Sequence, residues 1–166
     1  MLETYSEGGL SSSAQQGLFG EMVVLMRLLK EFPNRALDLV TAWQGPDKFR
    51  QDFQFKEWGI EVKTTTGVES VAIANETQLS SEGLAHLFLW HIVIDRYMDQ
   101  GATLNDLVAE LKSLTANNAK ANDVLNIRLT ASGYYVHQSL LYDRSGYFIR
   151  QEKVYAVADG FPVLTR

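Results

Sequence analysis

Apolar residues near the start of the chain recur every three or four positions. This spacing predicts an amphipathic helix over residues 14–31, opened by a capping serine within residues 11–13 and ended by Pro33. The repeating apolar positions are Leu18, Met22, Leu25 and Leu29.

After this helix, polar and apolar residues alternate with a period of two. Residues 51–56 and 60–66 each alternate polar and apolar side chains, and residues 57–59 between them form a turn, so the pattern predicts a β-hairpin. Residues 68–74 predict a third strand. Residues 86–95 are continuously apolar, which is typical of a central strand covered on both faces.

The last third of the chain contains segments with helical spacing and a segment typical of a strand. Helices are predicted over residues 103–115 and 122–132, the second followed by Gly133, and a strand over residues 154–158. This order of elements predicts one α/β domain over residues 1–166, with a mixed central sheet flanked by helices. Because the chain stops at Arg166 without a polar tail, we expect it to be a fragment of a longer protein.

The hairpin sorts its side chains into two faces. A turn at residues 57–59 would pair Phe55 with Ile60 and Asp52 with Lys63, and cross-strand partners share a face. One predicted face is therefore apolar, and the other is polar. The apolar set is Phe53, Phe55, Ile60 and Val62, and the polar set is Asp52, Gln54, Glu61 and Lys63.

The polar face suits phosphodiester hydrolysis. Two carboxylates can hold Mg²⁺, which prefers oxygen ligands, and the bound metal activates water and the phosphoryl group. Lys63, two residues beyond Glu61, can orient that water and stabilise developing negative charge. The alternative is a cross-strand ion pair between Asp52 and Lys63 on a solvated hairpin, since Glu-x-Lys is a common tripeptide.

Composition narrows the classes of protein. The 166 residues include no cysteine, which excludes disulfides and Cys-ligated zinc, and the three histidines lack metal-ligand spacing. A net charge of −5 and a pI of about 5.2 argue against a stand-alone nucleic-acid-binding module, but less against a nuclease whose site is itself acidic. Residues 1–13 resemble no signal peptide, and the apolar run over residues 87–94 is too short for a bilayer. We therefore expect a cytoplasmic protein with no membrane association.

Four segments together resemble the PD-(D/E)xK phosphodiesterase superfamily, and more narrowly the PD-(D/E)xK motif proteins associated with bacterial restriction and phage defence. The resemblance covers about residues 17–79, with a weaker likeness over residues 159–162. The segments are Gly17-Leu-Phe-Gly-Glu21, Trp43-Gln-Gly45, Gln51-Asp-Phe-Gln-Phe55, and Glu61-Val-Lys63 with the three threonines after it.

The resemblance implies a restriction-endonuclease-like core and a set of roles. Asp52 and Glu61 would bind Mg²⁺, with Mn²⁺ as a substitute, and Lys63 would assist the attacking water. Glu21 would add a third acid to the metal site, although a place at the rim of the buried helix face explains it equally well. Gln78 matches a polar residue that some members bring to the active site, and a solvated loop glutamine is its alternative.

The motif aspartate is taken as Asp52. The literal Pro46-Asp47 pair lies in a Gly-Pro turn, and Asp47 has the opposite strand parity.

These observations favour a metal-dependent nuclease, first of all a DNA endonuclease in a restriction or phage-defence setting. Its partners would be nucleic acid, DNA in the first place, and subunits of a defence system, and a homo-oligomer is compatible with the sequence. The alternative is a catalytically silent nuclease-fold subunit that acts as a DNA- or protein-binding assembly module. A third reading is an unrelated α/β binding module in which the polar hairpin is a coincidence.

Overall fold

The computed structural model describes residues 8–45, 51–67, 86–158 and 161–164. The helices in this part of the chain are α1 (Ser12–Glu31), α2 (Ala36–Ala42), α3 (Leu104–Leu114) and α4 (Ala119–Ala131), with short 3-10 helices at Pro33–Arg35 and Val136–Tyr142. The strands are β1 (Phe53–Gln54), β2 (Trp58–Thr66), β3 (His86–Met98), β4 (Ser145–Ala158) and β5 (Phe161–Leu164).

The strands form one mixed sheet in the order β1-β2-β3-β4-β5. β2 and β3 run parallel, and the other three neighbouring pairs are antiparallel. β3 is the central strand, and it buries Leu89 on one face and Ile92 on the other, as its continuous apolar sequence predicts. Helix α1 packs on β2 and α3, and α2 packs on α4. The predicted α/β class is therefore confirmed.

Capping residues set the helix starts. The Ser11 side chain accepts the Ala14 N–H at 3.1 Å, which confirms the predicted start of α1. Helix α4 begins earlier than the apolar pattern predicts because Asn118 caps it, accepting the Ala121 N–H at 3.0 Å. Gly133 follows this helix with φ +92°, a conformation that suits glycine, as expected for its C′ residue.

The predicted hairpin register is wrong by two residues. Phe53 pairs with Ile60 and Gln54 pairs with Gly59, so the connection is formed by residues 55–57 and Trp58 belongs to β2. The wider connection is held by the Phe55 N–H, which donates to the Trp58 carbonyl at 2.7 Å, and by stacking of the two rings. Since a two-residue shift preserves side-chain parity, the predicted faces persist, but the Asp52–Lys63 pairing is replaced by an approach of Asp52 to Glu61.

Two other strand predictions differ from the structure. β4 begins at Ser145, well before the predicted residue 154, and β5 carries no strand signal in the sequence analysis. In β4 three consecutive apolar residues (147–149) are followed by four polar ones (150–153), so no alternation marks the strand, and hydrogen bonding to the long β3 decides its length. The strand predicted over residues 68–74 lies outside the described residues. No helix in the described part of the chain is long and apolar enough to cross a membrane.

Helix α1 lies directly on strand β2 at Gly20. A Cβ atom built on Gly20 would overlap the hydroxyl group of Thr64, whereas one built on Gly17 would meet no atom within 4 Å. One turn earlier, the Gln16 side-chain amide donates to the Thr64 carbonyl at 2.9 Å. The absence of a side chain at position 20 therefore sets the distance between the helix and the strand.

Substitution of Gly20 tests this packing. We expect Gly20→Ala to lower the free energy of unfolding by about 1–3 kcal/mol because the added methyl overpacks the helix–strand contact. Gly17→Ala should be neutral or stabilise by up to about 1 kcal/mol, since alanine favours the helix. Urea unfolding measures both, and Gly20→Ala combined with Thr64→Ala should recover most of the loss. Equal effects of the two alanine substitutions would contradict the packing account.

Candidate active site

One cavity of about 540 Å³ brings together four of the predicted site residues. Glu21 lies on α1, Asp52 is the residue immediately before β1, and Glu61 and Lys63 lie on β2. The fifth predicted residue, Gln78, lies outside the described residues. Three carboxyl groups from three separate segments of the chain therefore share one cavity with an ammonium group.

Asp52 is fixed by β2 and by the segment after α2. Its Oδ2 accepts the Val62 N–H at 2.7 Å, and its carbonyl accepts the Gln44 N–H at 2.8 Å. Its own N–H donates to the carboxylate of Glu61. Backbone hydrogen bonds thus hold Asp52 next to Glu61.

Glu21 reaches the same group of acids from the helix. Its Oε1 accepts the indole N–H of Trp43 at 2.8 Å. Burial, followed by the charge of Asp52, raises the pKa of Glu21 well above its ordinary value, while the Trp43 hydrogen bond acts in the opposite direction. Glu21 therefore lies near Asp52 at a partly buried position in the cavity, and its assignment to the metal site stays a prediction.

Glu61 is also difficult to ionise. Burial and the neighbouring charge of Asp52 raise the pKa of Glu61 from 4.5 to about 7, although Lys63 and the Asp52 N–H favour its charged form. Near neutral pH the carboxyl cluster therefore retains protons that a divalent cation would displace.

The donor set fits Mg²⁺ better than a metal that needs a complete protein cage. Within residues 8–45, 51–67 and 86–158, no group of three or more His, Cys, Asp or Glu is arranged to hold a metal ion. Mg²⁺ keeps several waters and needs only one or two carboxylates besides substrate phosphates, and Asp52 and Glu61 can supply these. The repulsion among the acids is a further feature that a cation would relieve.

Sequence reasoning overlooked part of the cavity wall. The first turns of α1 and Ser132, the residue after α4, also line the cavity. Gly17, in the Gly-x-x-Gly-Glu motif, was the one sequence feature that could have indicated the contribution of α1. The sequence identified Trp43 as part of a motif but did not indicate its contact with Glu21. His91 is buried in β3, with its Nε2 2.8 Å from the Thr65 hydroxyl.

The fold and the cavity together define a nuclease-like domain of the PD-(D/E)xK class. The family model described as "Putative PD-(D/E)XK family member, (DUF4420)" matches residues 1–166, and the chain belongs to this family. The superfamily resemblance is therefore confirmed. Membership implies nucleic-acid binding, and PD-(D/E)XK nucleases generally use divalent metal ions. Comparisons with curated proteins and with solved structures found no match.

The raised pKa of Glu61 predicts how stability depends on pH without metal. A carboxyl whose folded-state pKa exceeds its unfolded value binds extra protons in the folded state, so the free energy of unfolding falls as pH rises from about 4.5 to about 7. We expect a loss of about 1–3 kcal/mol across this window, since one pKa unit corresponds to about 1.4 kcal/mol.

Urea unfolding in EDTA at several pH values measures this dependence. Glu61→Gln should make it shallower and raise stability above pH 7, with the remaining slope due to Glu21, whose pKa is also raised. Glu57→Gln, at an exposed position between β1 and β2, should change neither. The same slope in wild type and Glu61→Gln would mean that Glu61 titrates alike in both states.

Proposed function

We propose that this protein hydrolyses phosphodiester bonds of nucleic acid, DNA in the first place, with Mg²⁺ bound by Asp52 and Glu61. The observation that supports this most strongly is the concentration of three acids in one cavity despite their mutual repulsion. Such an arrangement raises the free energy of the metal-free fold, and perturbed titratable groups of this kind cluster at functional sites.

The residues of the cavity divide into distinct roles. Asp52 and Glu61 hold the cation, with Asp52 kept in place by the Val62 N–H, and Glu21 adds a third carboxyl group from the helix. Bound Mg²⁺ would supply Lewis-acid activation of the phosphoryl group and of a water molecule. Lys63 orients that water and stabilises the negative charge that develops on the phosphoryl oxygens.

The proposed setting is bacterial restriction or phage defence. The resemblance of the motif segments supports it. A net charge of −5 leaves little general attraction for a polyanion, so a partner subunit or further domain would provide much of the binding to DNA.

A catalytically silent assembly module is the second candidate. The acidic net charge favours it, and so does the lack of a three-donor metal group among the described residues. The two candidates differ in whether a divalent cation binds at Asp52 and Glu61 and whether a nucleic acid is then cut.

Metal binding can be tested by thermal stability. Mg²⁺ or Mn²⁺ should raise the melting temperature of the wild-type protein because a ligand that binds only the folded state stabilises it. At a concentration of about 100 times Kd the gain corresponds to about 2.7 kcal/mol, or several degrees. The increment on adding metal should vanish in Glu61→Ala, whatever the metal-free stability of that variant. An equal increment in both proteins would place the metal elsewhere.

Lys63→Ala tests catalysis separately from metal binding. Metal affinity should be unchanged or slightly higher, since a positive charge is lost near the carboxylates. Cleavage of plasmid DNA should fall by about 10²- to 10⁴-fold, the contribution of a positioned cation or proton-handling group.

Lys153→Ala is the matched control for Lys63→Ala. Lys153 is an exposed lysine of β4, two strands away from Lys63 and on the same sheet face, because both align with His91. Its loss should leave cleavage unchanged. Equal activity of Lys63→Ala and wild type would refute the assigned role. Metal binding by a wild-type protein that cuts no DNA or RNA would favour the assembly module.

A further inference from the structure

Trp43 connects two of the segments that carry the acids. It lies at the C-terminal end of α2 with its side chain fully buried, and its indole N–H donates to Glu21 Oε1 at 2.8 Å. Its backbone forms an antiparallel bridge with Phe53, the residue that follows Asp52. One residue therefore contacts the helix that supplies Glu21 and the strand next to Asp52.

The neighbouring residue strengthens this connection. The Gln44 N–H donates to the Asp52 carbonyl at 2.8 Å, so the segment 43–44 holds the Asp52 backbone on one side and the Glu21 side chain on the other. Asp52 in turn accepts the Val62 N–H, between Glu61 and Lys63. The hydrogen bonds form a continuous path from α1, through Trp43, to β2.

The indole bond opposes two effects that act on Glu21. Its side chain is partly buried and shares the cavity with Asp52 and Glu61, so burial and like charge both favour a rotamer that turns away from the other acids. An N–H donor bound to one carboxylate oxygen stabilises the charged form and restricts its orientation. The Glu21 carboxyl group is also hydrogen-bonded to the Asp52 side chain, so the indole and Asp52 together set its orientation.

We propose that Trp43 is a positioning residue that holds Glu21 in the orientation needed for the metal site. This inference rests on the proposed function, because it places the Glu21 carboxyl group beside the cation that Asp52 and Glu61 would hold, where it can bind one of the waters that Mg²⁺ retains. The competing account is that Trp43 only fills the core between α2 and the sheet. The two accounts differ in whether the effect of losing the indole N–H depends on Glu21.

The substitution Trp43→Phe keeps an aromatic ring and removes the donor. We expect Mn²⁺ affinity, measured by calorimetry, to fall by about 10- to 100-fold, as for other partners that orient metal ligands. Trp90→Phe is the matched control, because the Trp90 indole donates to Glu152 Oε2 at the same distance of 2.8 Å, and neither residue lines the cavity. Its Mn²⁺ affinity should equal that of the wild type.

A double-mutant cycle with Glu21→Ala separates positioning from packing. In the Glu21→Ala background, Trp43→Phe should cause no further loss of Mn²⁺ affinity, since the side chain that it orients is absent. The same loss in both backgrounds would overturn the proposal. Because these binding measurements need no substrate, a wild-type protein that binds Mn²⁺ but cleaves nothing would contradict the proposed hydrolysis, while the cycle would still decide the role of Trp43.

An NMR measurement covers the case in which Trp43→Phe fails to fold. The three tryptophan indole resonances of the ¹⁵N-labelled wild-type protein can be assigned with Trp58→Phe and Trp90→Phe. The Trp43 resonance should shift on titration with Mg²⁺ and in Glu21→Ala, and the Trp90 resonance should shift in neither. A Trp43 resonance that shifts neither with Mg²⁺ nor in Glu21→Ala would overturn the proposal.

Discussion

Electrostatic repulsion among three carboxyl groups is the constraint around which this part of the molecule is arranged. Glu21, Asp52 and Glu61 share one partly buried cavity, and two of them have raised pKa values. Repulsion of this kind would drive the side chains apart unless the surrounding structure fixed them. The Val62 N–H and the Trp43 indole provide that restraint, and Lys63 supplies a compensating charge.

The fold makes this arrangement rigid by placing Glu21 and Glu61 on packed elements and by fixing Asp52, just before β1, with backbone hydrogen bonds. Glu21 follows Gly20, where the helix lies directly on β2, so the carboxyl group can reach the strand that carries Glu61. β2 is paired on both sides, with β1 and with the buried central strand β3. A site built on packed helices and strands keeps its geometry better than one built on loops, and it can retain unfavourable charge.

The proposed activity gives this unfavourable charge a role. A divalent cation would neutralise acids that destabilise the metal-free protein, so metal binding and folding stability are coupled. The same carboxylates contribute to the net charge of −5, which weakens general attraction to DNA. A nuclease domain of this kind would therefore depend on its metal, on Lys63 and on partners to bind its substrate.

The amino-acid pattern by itself determined α1, the faces of the hairpin, and Asp52, Glu61 and Lys63 as one set, because helical and strand periods assign a face to each side chain from its near neighbours. The two-residue register shift and the tie between Trp43 and Glu21 were decided only by the tertiary structure. Ring stacking at the connection and contacts between residues distant in the chain settle these features. The raised pKa values have the same origin, since burial and the approach of Asp52 exist only after the helix has packed on the sheet.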